Sequence, residues 1–193
     1  MHLVLRAPGA KSLTAKPGDG RTLLRGAKAA PWDGFVSPRD SLPLLVIGLG
    51  NPLMGDEGIG CVVARRLAAD PGLPAHAEVL CGGTDLLRYA DQIEGRARVV
   101  LIDAVDNGDE PGTVTAWRDN FDGLDDRQEH SHHLSVIQAI KLLQAIHPVP
   151  FTLLGISIAS ARAGEGLSAE LASRTQSIVE RAIQEVSRAA ASP

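Results

Sequence analysis

The chain has 193 residues, enough for one domain of ordinary size with length to spare. Hydrophobic residues make up 44% and aromatics only 3%, which excludes wholesale disorder and requires an aliphatic core. A formal net charge of -4 argues against a general nucleic-acid binder, because phosphate contacts need clustered Lys and Arg.

Residues 1–42 differ from the rest. They carry seven Lys and Arg against three Asp and Glu, and Gly and Pro recur without a helical or strand period. This segment reads as a flexible basic extension. "LVL" near the start runs straight into Arg6, Pro8, Gly9 and Lys11, which is no signal-peptide core. No apolar run is long enough to span a membrane, so the cytoplasm is the expected compartment.

From residue 43 to about 190 the pattern is that of a folded domain. "LLVIGLG" is a buried strand ending in glycines. The following "DEGIGCVVARRLAAD" places Ile59, Val62, Val63 and Leu67 at helical spacing, and Pro71 and Gly72 stop it. "AEVLCGG" reads as a second strand, and "TDLLRYADQI" as a short helix with Thr84 as its N-cap. "ARVVLIDAV" is a buried strand and "GTVTAWR" an edge strand. "SHHLSVIQAIKLLQAIH" is a helix with Val136, Ile137, Ile140, Leu143 and Ile146 on its apolar face. "FTLLGISIA" is another strand. The closing amphipathic helix carries Leu171, Ile178, Ala182, Ile183 and Val186 as its stripe. Alternating strands and helices predict a three-layer α/β/α sandwich with a twisted, mostly parallel sheet of about five strands. Ligands of such folds bind at the carboxyl ends of the strands.

Three groups of polar residues fall at such ends. "GLGNPLMGDEGIG" has the glycine spacing of a phosphate-binding loop, but Asp56 and Glu57 stand where a nucleotide needs Lys and a hydroxyl. Asp103 interrupts an apolar strand, where a carboxylate is costly unless paired or bound to a cation. His130, His132 and His133 open a helix. Each has a plainer reading. Asp103 could bond loop N–H groups, Glu57 could favour a helix dipole, and the histidines could be a polar helix entry. Asp56 reads as a helix N-cap. Taken together, two carboxylates and an imidazole at one crevice match a borderline divalent metal such as nickel, zinc or copper. Cys61 and Cys81 lack CxxC spacing and lie in or beside apolar segments, so both are expected to be buried free thiols.

"VIGLGNPLMGDEGIG", "CGGT", "VLIDAV", "PGTV", "SHHLSV" and "GISIA…GEGLS" occur in an order that resembles the hydrogenase maturation endopeptidases, from about Leu44 to the last helix. The resemblance implies an endopeptidase, expected as a monomer. It would cut a short C-terminal peptide from the nickel-loaded large-subunit precursor of nickel-iron hydrogenase, beyond a CxxC motif that holds the metal. It implies Glu57, Asp103 and His132 as contacts to nickel carried by the substrate, with Asp103 and Glu57 catalytic. His132 is preferred to its neighbours because "SHHLSV" fits the family's helix entry. Gly55, Gly82 and Gly83 are expected at the substrate, the last two as an open edge for an added strand. Nickel could polarise the scissile carbonyl or a water, or Asp103 could act as general base; both stay open. Cys81 where Asp is frequent, Ser135 where Gly is frequent, and the extension depart from the family pattern. "GLGNP" also opens peptidyl-tRNA hydrolases, but the His-Asn pair and basic surface these need are missing. A non-catalytic nickel carrier would use the same ligands, yet "HSHH" is a short tract for one.

Overall fold

The computed structural model describes residues 44–121, 135–159 and 163–191. The basic extension, His130, His132 and His133 lie outside these residues.

Among the described residues the chain builds a five-stranded sheet. β1 (Leu44–Leu49) is an inner strand, with β2 (Ala77–Gly83) at the edge on one side of it and β3 (Arg98–Val105), the middle strand, on the other. β5 (Phe151–Ser157) follows β3, and β4 (Val114–Arg118) closes the far edge, giving the order β2-β1-β3-β5-β4. All pairings are parallel except β4 with β5, which is antiparallel. Because β1 pairs with both β2 and β3, the connections leave it in opposite directions, and a crevice opens between the ends of β1 and β3.

Strand alternation sorts the core into two layers. Leu44 and Val46 of β1 and Val100 and Ile102 of β3 face α1 (Ile59–Ala68) and α4 (Ala169–Ala191). Leu45, Ile47, Val99 and Leu101 face the other way, toward α3 (Val136–Ile146) and the turn of helix α2 (Ala90–Ile93). Ile59, Val63 and Leu67 of α1 are fully buried, each contributing about 1.5–3 kcal/mol of burial. The stripe of α4 is likewise in the core, with Ile183 at its margin. At the end of α3 the apolar face runs out, because Ile146 is exposed.

Gly60 lets α1 lie directly on the sheet. A Cβ there would overlap the carbonyl oxygens of Leu49 and Ile102, so the helix backbone touches β1 and β3 where the crevice begins. At the opposite edge, Glu185 of α4 is 1% exposed yet ion-paired with Arg118 of β4, Arg181 and Arg188. That cluster ties the last helix to the edge strand.

Local chemistry differs from the sequence reading in three places. The segment after Gly83 starts with a 3-10 turn, Leu86–Tyr89, and its cap is Asp85, not Thr84. Asp85 Oδ1 accepts from Leu87 N at 3.1 Å, and it wins because its carboxylate reaches the second residue beyond it. Asp56 does not cap α1, and lies inside a 3-10 turn, Gly55–Gly58, ahead of the helix. Of the two cysteines, Cys61 is buried but Cys81 is exposed, because β2 is an edge strand.

Candidate active site

The glycine loop folds back on itself before α1 begins. Gly50 adopts a φ of 126°, and a Cβ there would overlap the carbonyl oxygen of Glu57. A side chain at position 50 would therefore push Glu57 away, which is a direct reason for glycine. Asn51 Oδ1 accepts from Leu53 N at 3.1 Å, and the 3-10 turn then presents Glu57 half-buried beside β3.

The loop is held from both sides. Gly50 N donates to the Gly83 carbonyl at 2.8 Å, joining it to the end of β2. Gly55 N donates to the Gly164 carbonyl at 2.8 Å, and Gly164 N to the Leu53 carbonyl at 3.0 Å. Asp56 is buried and accepts from Ser168 N at 2.7 Å. Ser168 in turn accepts from Leu171 N through its hydroxyl at 3.2 Å, at the start of α4. Asp56 thus anchors the glycine loop to the last helix. The contribution of Gly164 and Ser168 was not readable from the sequence, because no local signal links residues so far apart. A cleft of about 430 Å³ runs between these segments, lined by Gly55, Asp56, Ala159, Glu165 and Leu167 among others, but neither Glu57 nor Asp103 borders it.

Asp103 is the sixth residue of β3 and pairs in register with Gly155 of β5. Its Oδ1 accepts from Ala104 N at 2.9 Å. The residue keeps some surface open to the crevice, while its carboxyl group is enclosed by protein atoms. Burial pushes its pKa from 3.8 up to about 7; the Ala104 N–H opposes that rise and the charge of Glu57 adds to it. The fold therefore brings Glu57 and Asp103 together, as expected of residues following β1 and ending β3. By alternation Asp103 shares the sheet face of Val99 and Leu101, the face on which α3 packs. Ser135 caps α3, accepting from Gln138 N at 3.1 Å. Among the described residues, no group of three or more His, Cys, Asp or Glu side chains is placed to hold a metal ion.

Gly55, with φ 57°, lies in the wall of the cleft. Gly82 is buried under Ile47, Leu49 and Tyr89, and Gly83 borders open space with φ 61°. No described helix is long and apolar enough to cross a membrane.

A doubly wound α/β protein with a carboxylate pair in its switch-point crevice is the class that fold and site define. The model of the hydrogenase maturation protease family matches residues 61–189. The chain belongs to that family. It is 34% identical over 116 residues to the hydrogenase expression/formation protein HupD of Rhodobacter capsulatus, covering 58% of this chain and 55% of that protein. It is 28% identical over 147 residues to the hydrogenase 2 maturation protease of Escherichia coli, covering 74% of this chain and 87% of that one. The first of these matches thus spans about half the length of the curated relative. Among solved structures, the hydrogenase maturating endopeptidase HybD from Escherichia coli superposes with a TM-score of 0.65 at 26% identity, over 75% of this chain and 92% of that one.

Proposed function

We propose that this chain is an endopeptidase that removes the C-terminal peptide from a nickel-loaded nickel-iron hydrogenase large-subunit precursor. The observation that carries the reading is the pairing of Glu57 with Asp103, whose carboxyl burial holds near neutrality. Two carboxylates in one crevice repel each other, and that of Asp103 is poorly solvated. Such a pair gains most when a divalent cation arrives, so it suits a substrate that carries its own metal. Nickel belongs to the substrate in this scheme, and Glu57, Asp103 and His132 receive it. Connectivity supports including His132: α3 packs on the sheet face of Asp103, and His132 precedes the α3 cap by three residues.

For cleavage, Asp103 accepts a proton from water as the water oxygen attacks the scissile carbonyl, then returns it to the leaving amine. Gly83 borders open space at the end of an edge strand beside the glycine loop, where an extended peptide tail has room to pair. The names borne by the relatives support the same substrate class.

The test is release of the C-terminal peptide from nickel-loaded and nickel-free precursor, read by mass. Glu57→Gln, Asp103→Asn and His132→Ala should each slow release by about 100-fold or more. Normal cutting by all three would overturn the site, and equal cutting of nickel-free precursor would overturn metal recognition. Nickel binding with no release at all would mark a carrier in place of an enzyme.

A further inference from the structure

Cys61 and Cys81 lie far apart in sequence but are brought together by the sheet. Ala77 and Val79 of β2 pack against the core layer that holds α1, and alternation puts Cys81 on that same face. Cys81 pairs in register with Gly48 of β1, and Cys61 Sγ donates to the Gly48 carbonyl at 3.3 Å. Both side chains therefore sit over the same point of the sheet, at Gly48. They differ in access: Cys61 is 0% exposed, whereas Cys81 is open to solvent. Arg65, one helical turn after Cys61, donates Nη2 to Cys81 Sγ at 3.8 Å.

An exposed thiol beside a guanidinium, with a second thiol over the same residue of the adjoining strand, is the arrangement of an attacking and a resolving cysteine. We propose that Cys61 and Cys81 form a modification site at which a hydroperoxide drives closure of an intramolecular disulfide. Cys81, as its thiolate beside the Arg65 guanidinium, attacks the distal peroxide oxygen. The O–O bond breaks, Cys81 becomes a sulfenic acid, and the departing alkoxide or hydroxide leaves as alcohol or water after taking up the thiol's proton. Cys61 sulfur then attacks the Cys81 sulfur, the S–O bond breaks, and its proton leaves with the hydroxyl as water. The two thiols lose two electrons to the peroxide. Burial pushes the Cys61 thiol up to about 11, so closure quickens as pH rises. Nothing in this chemistry depends on peptide cleavage.

The closed bond would staple the first turn of α1 to the end of β2. These are the elements that carry Glu57 and Gly83 at their borders, so the cross-link would lie just behind the crevice.

Iodoacetamide on the native, reduced chain should label Cys81 and leave Cys61 unlabelled until denaturant is added. After hydrogen peroxide, the intact chain should be lighter by two hydrogens and should take no iodoacetamide in denaturant. Dithiothreitol should restore both labels. Cys61→Ala should stop at a sulfenic acid trapped by dimedone, and Arg65→Gln should slow the first step several-fold. Three results would overturn the proposal. These are persistence of both alkylatable thiols after peroxide, oxygen gain at Cys81 with Cys61 still alkylatable, and a bond found only between two chains. The mass and labelling of the parent chain decide the matter even if Cys61→Ala fails to fold.

Discussion

Glu57 places its carboxylate close enough to Asp103 to raise the proton affinity of a group that burial has already pushed up to about 7. Glu57 follows β1 in the 3-10 turn and Asp103 lies near the carboxyl end of its neighbour β3, so the repulsion is built into the topology.

The pH dependence of stability follows mainly from the burial of Asp103, to which that repulsion adds. The folded pKa of Asp103 is raised, to about 7 from 3.8, so the folded state holds the proton more tightly. Below about pH 4 the carboxyl is protonated in both states and its stabilising contribution is complete. As pH rises the unfolded chain releases its proton first, and the contribution is lost through about pH 7. Asp103→Asn removes this loss. In urea titrations, the variant should gain on the parent by on the order of a few kcal/mol between about pH 4 and pH 8. A difference that does not change with pH would contradict the assignment.

Asp56→Ala should weaken the fold without touching the carboxylate pair. It removes the acceptor of the Ser168 N–H, which donates to Asp56 Oδ1 at 2.7 Å; Ser168 is exposed, so water can take the lost place. The expected cost is about 0.5–1.5 kcal/mol in chemical denaturation, with Asp56→Asn recovering part of it through its amide oxygen. Loss of stability equal in both variants would mean that the charge, and not the accepted bond, matters.

Gly60→Ala should be costly for so small a change. Its Cβ meets two backbone carbonyls, those of Leu49 and Ile102, which cannot swing aside. We expect a loss of about 1–3 kcal/mol and, because α1 must lift, a fall in the pKa of Asp103 as Glu57 recedes. Carbon-13 NMR of the Asp103 carboxyl would show it. An unchanged titration with a folded variant would show that Glu57 is held by the glycine loop alone.

At the far edge, Glu185→Ala should cost about 1–3 kcal/mol, since a buried acceptor is removed from three guanidinium groups. Arg118→Ala should cost less than about 1 kcal/mol, because that side chain is 47% exposed and solvent screens it. Equal losses would place the strength of the cluster in the Arg118 pair.

Much of this was legible before the fold was known, for reasons that differ by residue. Leu45 to Leu49 and Val99 to Ile102 announce buried strands because both faces of a parallel sheet are covered. Asp103 and Glu57 stood out because a charge beside such strands is expensive. The partner of Asp56 was not legible: carboxylates cap whatever N–H is near, and nearness to Ser168 is a product of the finished fold. The same holds for Cys61 and Cys81, whose spacing along the chain carries no motif. Thr84 lost its capping role to Asp85 because neighbouring capping residues differ by one position, finer than pattern reading resolves.

The contacts of the glycine loop also have a consequence in time. Asp56 and Ser168 are 112 residues apart in the chain, and Gly55 and Gly164 are almost as distant. On a ribosome the loop is made early, but Gly164 and Ser168, which hold one side of it, emerge only after all five strands have been synthesised. Closing so long a span is an entropic cost that no local preference of the loop can offset. A nascent chain therefore carries its carboxylates long before it carries a crevice, and the chain assembles its reactive edge last.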